Sequence, residues 1–245
     1  MTPMPQIAPR TAMVLAAGLG TRLRPITDHT PKPLIAVAGR TLLDRCLDRL
    51  VEAGVQRAIV NIHWLGSRIR EHLRTRHDIE IIISDETGML LETGGGIAKA
   101  LPLLGEAPFF AVNADLIWRD EGSEVALQRL AAAFDATKMD GLLLLQPRER
   151  ADGHGGPGDF FLDADNRLVR RDADAMAPYV YTGVQVLQPT LFRDAPAGAF
   201  SLNILYDRAI AASRLYGLVH RGPWMDVGTH DGLKQAETAL HDHAG

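Results

Sequence analysis

Cysteine is almost missing from this chain, with Cys46 the only one in 245 residues. A lone thiol closes no internal disulfide and falls far short of a zinc site, so the expected setting is a reducing compartment, the cytoplasm. Charge of one sign is missing too. The 26 Lys+Arg are set against 30 Asp+Glu, and no basic block offers nucleic acid or an anionic membrane an electrostatic footprint. No run reaches the roughly 18 apolar residues of a membrane span. Residues Met1 to Arg10 carry three prolines and no apolar signal core. A Gly-x-Ser-x-Gly nucleophile elbow is absent, and the nine histidines show no close ligand spacing with cysteine partners. Serine-hydrolase and zinc chemistry therefore have little support. Internal repeats and low-complexity tracts are absent as well.

What is present suits a folded enzyme. With 46% hydrophobic and 23% charged residues, the composition supplies a sizeable core, and the length fits one large domain or a domain with a small appendage. Ala12 to Ala17 is an uninterrupted apolar run and reads as a buried strand ending at Gly18 and Gly20. Thr41 and Asp44 form a capping box for a helix to about Ala53, with Leu43, Cys46, Leu47, Leu50 and Val51 on one face and Gly54 as the stop. Strands over 58–62, 79–83, 109–113 and 141–145 alternate with helices over 65–73, 95–104 and 125–134. Apolar strands joined by helices predict a parallel sheet covered on both faces. The texture then changes. Phe160 to Leu162 and Leu168 to Arg170 flank a turn over 163–166 and predict an inserted hairpin, after which strands over 179–187 and 215–220 and helices over 202–212 and 231–240 close the pattern.

Ligands of open parallel sheets bind beyond the carboxyl ends of the strands, which directs attention to four loops. Gly18-Leu19-Gly20-Thr21-Arg22-Leu23-Arg24-Pro25 offers backbone N–H groups and a guanidinium to a phosphate. It is neither the dinucleotide fingerprint, whose third glycine would fall at Leu23, nor a Walker A loop. Pro31-Lys32-Pro33 holds a lysine on stiffened backbone ten residues beyond Arg22. Leu91-Glu92-Thr93-Gly94-Gly95-Gly96 places three glycines before a helix, where a base or a phosphate could lie. Asp115, just past a strand, and Asp226, in Trp224-Met225-Asp226-Val227-Gly228-Thr229, fit the demand of magnesium for one or two carboxylates plus substrate phosphates. Each feature also has a plainer reading, as a glycine turn, a surface lysine, a helix start or a capping aspartate. Cys46 lies on the apolar helix face and reads as core.

Leu15-Ala16-Ala17-Gly18-Leu19-Gly20-Thr21-Arg22-Leu23-Arg24-Pro25 followed by Pro31-Lys32-Pro33-Leu34 resembles the signature of the sugar-1-phosphate nucleotidyltransferases. Asn113-Ala114-Asp115 and Trp224 to Thr229 resemble that family's two metal-bearing segments, so the likeness runs from about Met13 to Leu240. Within the family, Leu91 to Ile97, Gly158-Asp159-Phe160, Tyr181-Thr182-Gly183 and Phe200-Ser201-Leu202-Asn203 look most like the N-acetylmuramate 1-phosphate uridylyltransferases of bacterial cell-wall recycling.

The resemblance implies a three-layer, Rossmann-like, mostly parallel sheet of the nucleotide-diphospho-sugar transferase type. It implies one nucleotidyltransferase domain over 12–241, with the hairpin inserted at about 147–180. Ala17, Gly18, Gly20, Thr21, Arg22 and Lys32 would bind UTP, with Glu92, Thr93 and Gly95 completing the nucleotide site. Asn113, Asp159, Thr182, Gly183 and Asn203 would bind the sugar 1-phosphate, and Asp115 and Asp226 would hold Mg2+. Arg22, Lys32 and Asp115 would be catalytic. Two departures stand out. The Glu-Lys-Pro segment of many relatives is absent between Phe160 and Tyr179, and no hexapeptide-repeat acyltransferase segment is present. A phosphate monoester with a second pKa of about 6 is already ionised at neutral pH, which explains why no catalytic base is needed. Another base and sugar, as in mannose-1-phosphate guanylyltransferases, or a non-catalytic nucleotide-sugar sensor remain alternatives, and no sequence feature sets an oligomeric state.

Overall fold

The computed structural model describes residues 8–122 and 124–241, so the first seven residues of the proline-bearing N-terminus lie outside it. β1 (Thr11–Leu15) leads through α1 (Ile26–His29) and the ribbon β2 (Ala36–Val37) and β3 (Arg40–Thr41) into α2 (Leu42–Glu52). β4 (Arg57–Ile62), α3 (Gly66–Leu73), β5 (Glu80–Asp85), α4 (Glu92–Leu104) and β6 (Phe109–Asn113) continue the alternation. β7 (Leu116–Trp118), α5 (Ala126–Ala133), β8 (Gly141–Pro147) and β9 (Ala151–Asp152) follow, then the hairpin β10 (Phe160–Leu162) and β11 (Leu168–Arg170). β12 (Tyr179–Leu187), α6 (Asn203–Ala211), β13 (Leu215–Val219), β14 (Trp224–Asp226) and α7 (His230–His241) complete the chain.

Nine strands form the main sheet in the order β11-β10-β12-β6-β1-β4-β5, with β8 also on β12 and β13 on β8. β6, β1, β4 and β5 are mutually parallel, whereas β12 runs antiparallel to both β6 and β8. The sheet is therefore mostly rather than wholly parallel. Alternation sorts β1 between two cores: Ala12 and Val14 face α2, α3 and α5 with Leu47, Leu50, Ile69 and Leu130, while Met13 faces α4 and α6 with Ile97 and Leu205. Helices on both faces make the three layers. Each fully buried leucine contributes roughly 1.5–3 kcal/mol.

Thr41 caps α2 as expected, its Oγ1 accepting from Asp44 N at 3.0 Å. The hairpin turn also forms: Asn166 takes φ +63°, and Asp163 Oδ1 accepts from Arg167 N at 2.8 Å. Two features differ from the sequence expectation. α4 begins at Glu92, ahead of the expected Gly95, so its three glycines lie inside the helix. There Gly94 N and Gly95 N donate to Phe200 O, and a Cβ on Gly95 would stand 2.3 Å from Gly198 O. Those glycines admit a neighbouring backbone. The second difference is a small sheet, β7-β14-β9, in which Asp226 pairs with Leu116. A third cluster containing Leu23, Ile117, Met225, Val227 and Ala236 clamps α7 and β14 against the first glycine loop.

Candidate active site

At the end of β1 the backbone turns, and Ala16 N donates to Asn61 Oδ1 at 2.7 Å. Gly20 sits at φ +64°, where a Cβ would come within 2.8 Å of Thr27 Cγ2. Only glycine tolerates both demands. Thr27 Oγ1 donates to Gly20 O at 2.8 Å, and Trp64 Nε1 in turn donates to Thr27 O at 2.8 Å, so the loop is braced from behind. Lys32, between its two prolines, is 8% exposed and reaches Asp115 Oδ2 with Nζ at 2.5 Å.

These groups surround a cavity of about 320 Å³. Its walls include Ala17, Gly18, Gly20, Thr21, Arg22 and Lys32 from the first two loops. Glu92 and Thr93 at the start of α4, and Asn113 and Asp115 at the end of β6, close the other side. Glu92 holds a left-handed φ of +59°, an uncommon conformation for a residue with a side chain.

Asp115 follows β6, and the β7–β14 register sets Asp226 opposite its next neighbour, Leu116. Asp226 Oδ1 accepts from Gly228 N at 2.8 Å. Gly228 lines the cavity, and a Cβ on it would lie 2.6 Å from Arg22 Nη2 and 2.8 Å from Asp226 Oδ1. Asp226 thus stands at the cavity wall behind Gly228. Among the described residues no cluster of three or more His, Cys, Asp or Glu side chains is placed to hold a metal. Asp115 lines the cavity and Asp226 stands behind Gly228; their hard carboxylate oxygens are of the type that magnesium takes together with substrate oxygens and water.

A second cavity of about 210 Å³ shares Leu15, Thr93 and Asn113 with the first and is also lined by Asn203. Asn113 and Asn203, both expected at the sugar site, therefore line one cavity. Asp159, Thr182 and Gly183 do not line this cavity. Thr182 is fully buried with its Oγ1 donating to Leu144 O at 2.8 Å, which spends its hydroxyl on the sheet. Gly183, at φ +80°, gives room to Asn113, whose Nδ2 would lie 2.9 Å from an added Cβ. Asp159 Oδ2 accepts from Tyr181 N at 2.8 Å and so anchors β12 beside the hairpin. Gly95 lines neither cavity, its N–H being held by Phe200.

Two polar residues outside every sequence motif, Asn61 and Glu86, also serve the site. Asn61 lines the first cavity and donates from Nδ2 to Glu86 Oε1 at 2.8 Å, while Glu86 Oε2 accepts from Leu91 N at 3.1 Å. This buried chain ties the β1 loop to the start of α4, the two walls of the cavity. Its signal was an asparagine at the end of an otherwise apolar strand. Away from the site, Cys46 is fully buried, and burial pushes its thiol up to about 12.

The chain belongs to the nucleotidyl transferase family, whose model matches residues 11–156. It is 45% identical over 95% of its length, and 98% of the relative's, to an N-acetylmuramate alpha-1-phosphate uridylyltransferase of Caulobacter vibrioides. A protein of that name from Neisseria meningitidis is 37% identical over 92% of this chain and 96% of its own. A mannose-1-phosphate guanylyltransferase catalytic subunit beta of Drosophila pseudoobscura pseudoobscura is 26% identical over 89% of this chain but only 58% of its own. Among solved structures, the inositol-1-phosphate CTP transferase of T. maritima shares the fold with a TM-score of 0.77 at 19% identity, covering 97% of this chain and 98% of that one. No helix among the described residues is long and apolar enough to cross a membrane.

Proposed function

We propose that the chain transfers a uridylyl group from UTP to N-acetyl-α-muramate 1-phosphate, giving UDP-N-acetylmuramate and pyrophosphate, in cytoplasmic cell-wall sugar recycling. The observation that carries the reading is the meeting of Lys32, Arg22 and Asp115 around the glycine loop in a cavity that shares Leu15, Thr93 and Asn113 with a second one. The names of the two relatives alike over nearly their full lengths supply the substrate.

A sugar-phosphate oxygen attacks the α-phosphorus of UTP in line. The new P–O bond forms as the bond to the bridging oxygen of the β-phosphoryl group breaks, and pyrophosphate leaves. The attacking monoester is ionised at neutral pH, so no side chain has to remove a proton. The chain's task is positioning and charge stabilisation. Backbone N–H groups at Gly18 to Thr21 and the guanidinium of Arg22 hold the β- and γ-phosphates, and Lys32 stabilises the charge that builds on the leaving group. Asn113, shared by both cavities, holds the sugar phosphate for attack. Asp115 and Asp226 would hold a magnesium ion, whose charge would offset the repulsion between the two anionic substrates.

The test is pyrophosphate release from UTP, GTP, CTP and dTTP, each with N-acetylmuramate 1-phosphate, N-acetylglucosamine 1-phosphate, glucose 1-phosphate and mannose 1-phosphate, with magnesium or EDTA. Magnesium-dependent release with UTP and N-acetylmuramate 1-phosphate is expected. GTP with mannose 1-phosphate as the productive pair would replace the substrates. Silence from every pair, with nucleotide-sugar binding intact, would make the chain a sensor.

A further inference from the structure

The second cavity has a buried polar wall that the transfer chemistry does not use. Gln185 on β12 is 1% exposed and forms part of that wall. Tyr206 donates its hydroxyl to Gln185 Oε1 at 2.6 Å, and the Tyr206 ring meets Tyr181 edge to face with centroids 6.1 Å apart. The other end of the amide, Nε2, is buried with no hydrogen-bond partner among the described residues. A buried donor without an acceptor is costly and calls for a partner, an ordered water or a ligand oxygen.

The surroundings define that oxygen. Burial raises the pKa of both Tyr181 and Tyr206, so each stays a neutral phenol. The described residues lining the cavity include no lysine, arginine or histidine. A carboxylate pressed into such a wall would be desolvated without a counter-charge. A neutral carbonyl satisfies Nε2 at no such cost, and a methyl group beside it would pack on Leu15, Leu202 and the Tyr206 ring. An acetamido group carries both. The cavity shares Leu15, Thr93 and Asn113 with the nucleotide cavity, and Asn113 lies two residues before Asp115, so a sugar whose phosphate lies at the reacting centre has this cavity next to its ring.

We propose that Gln185 donates from Nε2 to the carbonyl oxygen of the sugar's 2-acetamido group and thereby selects 2-acetamido sugars over 2-hydroxy sugars, an inference that rests on the sugar-1-phosphate reading above.

The test compares wild type with Gln185→Met, which keeps the volume and removes the donor, and with Gln185→Glu, which keeps an acceptor for Tyr206 and replaces the donor by an acceptor. At saturating UTP, both variants should raise KM for N-acetylmuramate 1-phosphate and N-acetylglucosamine 1-phosphate about tenfold or more. The KM for UTP and kcat/KM for glucose 1-phosphate should stay within about twofold of wild type. Gln185→Met also strands the buried Tyr206 hydroxyl, so a lower melting midpoint is expected for the ligand-free variant; the readout that a purely structural glutamine would not give is the split in KM between acetamido and hydroxy sugars. Equal losses on acetamido and hydroxy sugars, or an unchanged KM for both acetamido sugars, would overturn the assignment of Gln185 alone. A wild-type protein that turns over no sugar 1-phosphate would overturn the functional reading and this inference with it.

Discussion

Lys32 Nζ stands 2.5 Å from Asp115 Oδ2, a pair formed across 83 positions of sequence at the wall of the larger cavity. The lysine side chain is 10% exposed and the carboxylate 33%, so the pair is held in place ahead of any substrate. Lys32→Ala leaves Asp115 facing incoming phosphates without its counter-charge, and Asp115→Asn removes the carboxylate proposed for magnesium. Either change should lower kcat by at least about a hundredfold, the scale of losing one preorganised electrostatic group. Pyrophosphate-release kinetics check this, and a variant with near-normal turnover would take its residue out of the mechanism.

Gly228 is wedged between Arg22 and Asp226, with an added Cβ only 2.6 Å from the guanidinium and 2.8 Å from the carboxylate. Gly228→Ala must displace one or both. Turnover is expected to fall about a hundredfold, as for an ångström-scale misplacement of catalytic groups. Thermal unfolding separates this effect from loss of the fold, since the contact falls on side-chain ends and the melting point should move by only a few degrees.

Asn61 links Ala16 N on one side to Glu86 on the other. Asn61→Leu strands a backbone donor and removes a partner from a carboxylate that is 1% exposed. A loss of about 2 kcal/mol or more is expected in urea unfolding, since each buried polar group left unpaired costs roughly 1–3 kcal/mol. The same variant should raise KM for UTP, because both cavity walls lose their tie.

His220 is 1% exposed, and burial lowers its pKa below the usual 6.5, partly offset by its bond to Pro223 O. The folded chain therefore keeps a neutral ring where the unfolded chain takes up a proton. The stability contributed by this histidine is present above pH 6.5 and is lost as pH falls through 6.5 toward the lower folded value. Urea unfolding at pH 7.5 and about pH 5.5 should show a smaller loss for His220→Gln than for wild type.

The Cys46 thiol, fully buried and raised to about 12, offers no thiolate near neutral pH. Iodoacetamide at pH 8 should leave the native protein unlabelled and label it fully in denaturant, read by intact mass. Rapid native labelling would mean that α2 opens from the sheet.

Local pattern determined much of this protein. The apolar runs marked β1, β6 and β12, the Thr41 capping box set the start of α2, and the turn after Phe160–Leu162 bounded the hairpin, because each depends on residues close in sequence. The glycine loop and Lys32 were legible for the same reason, as short motifs that carry their own backbone chemistry. Only the tertiary structure decided how distant pieces meet. The β7–β14 pairing brings Asp226 and Gly228 to Arg22 and Asp115. Contact with Phe200 and Gly198 turns Gly94 and Gly95 from a candidate ligand loop into a packing surface, and the antiparallel entry of β12 carries Gln185 to the second cavity. Strand register and helix docking are set by packing summed over residues far apart in the chain, and no local pattern contains that sum.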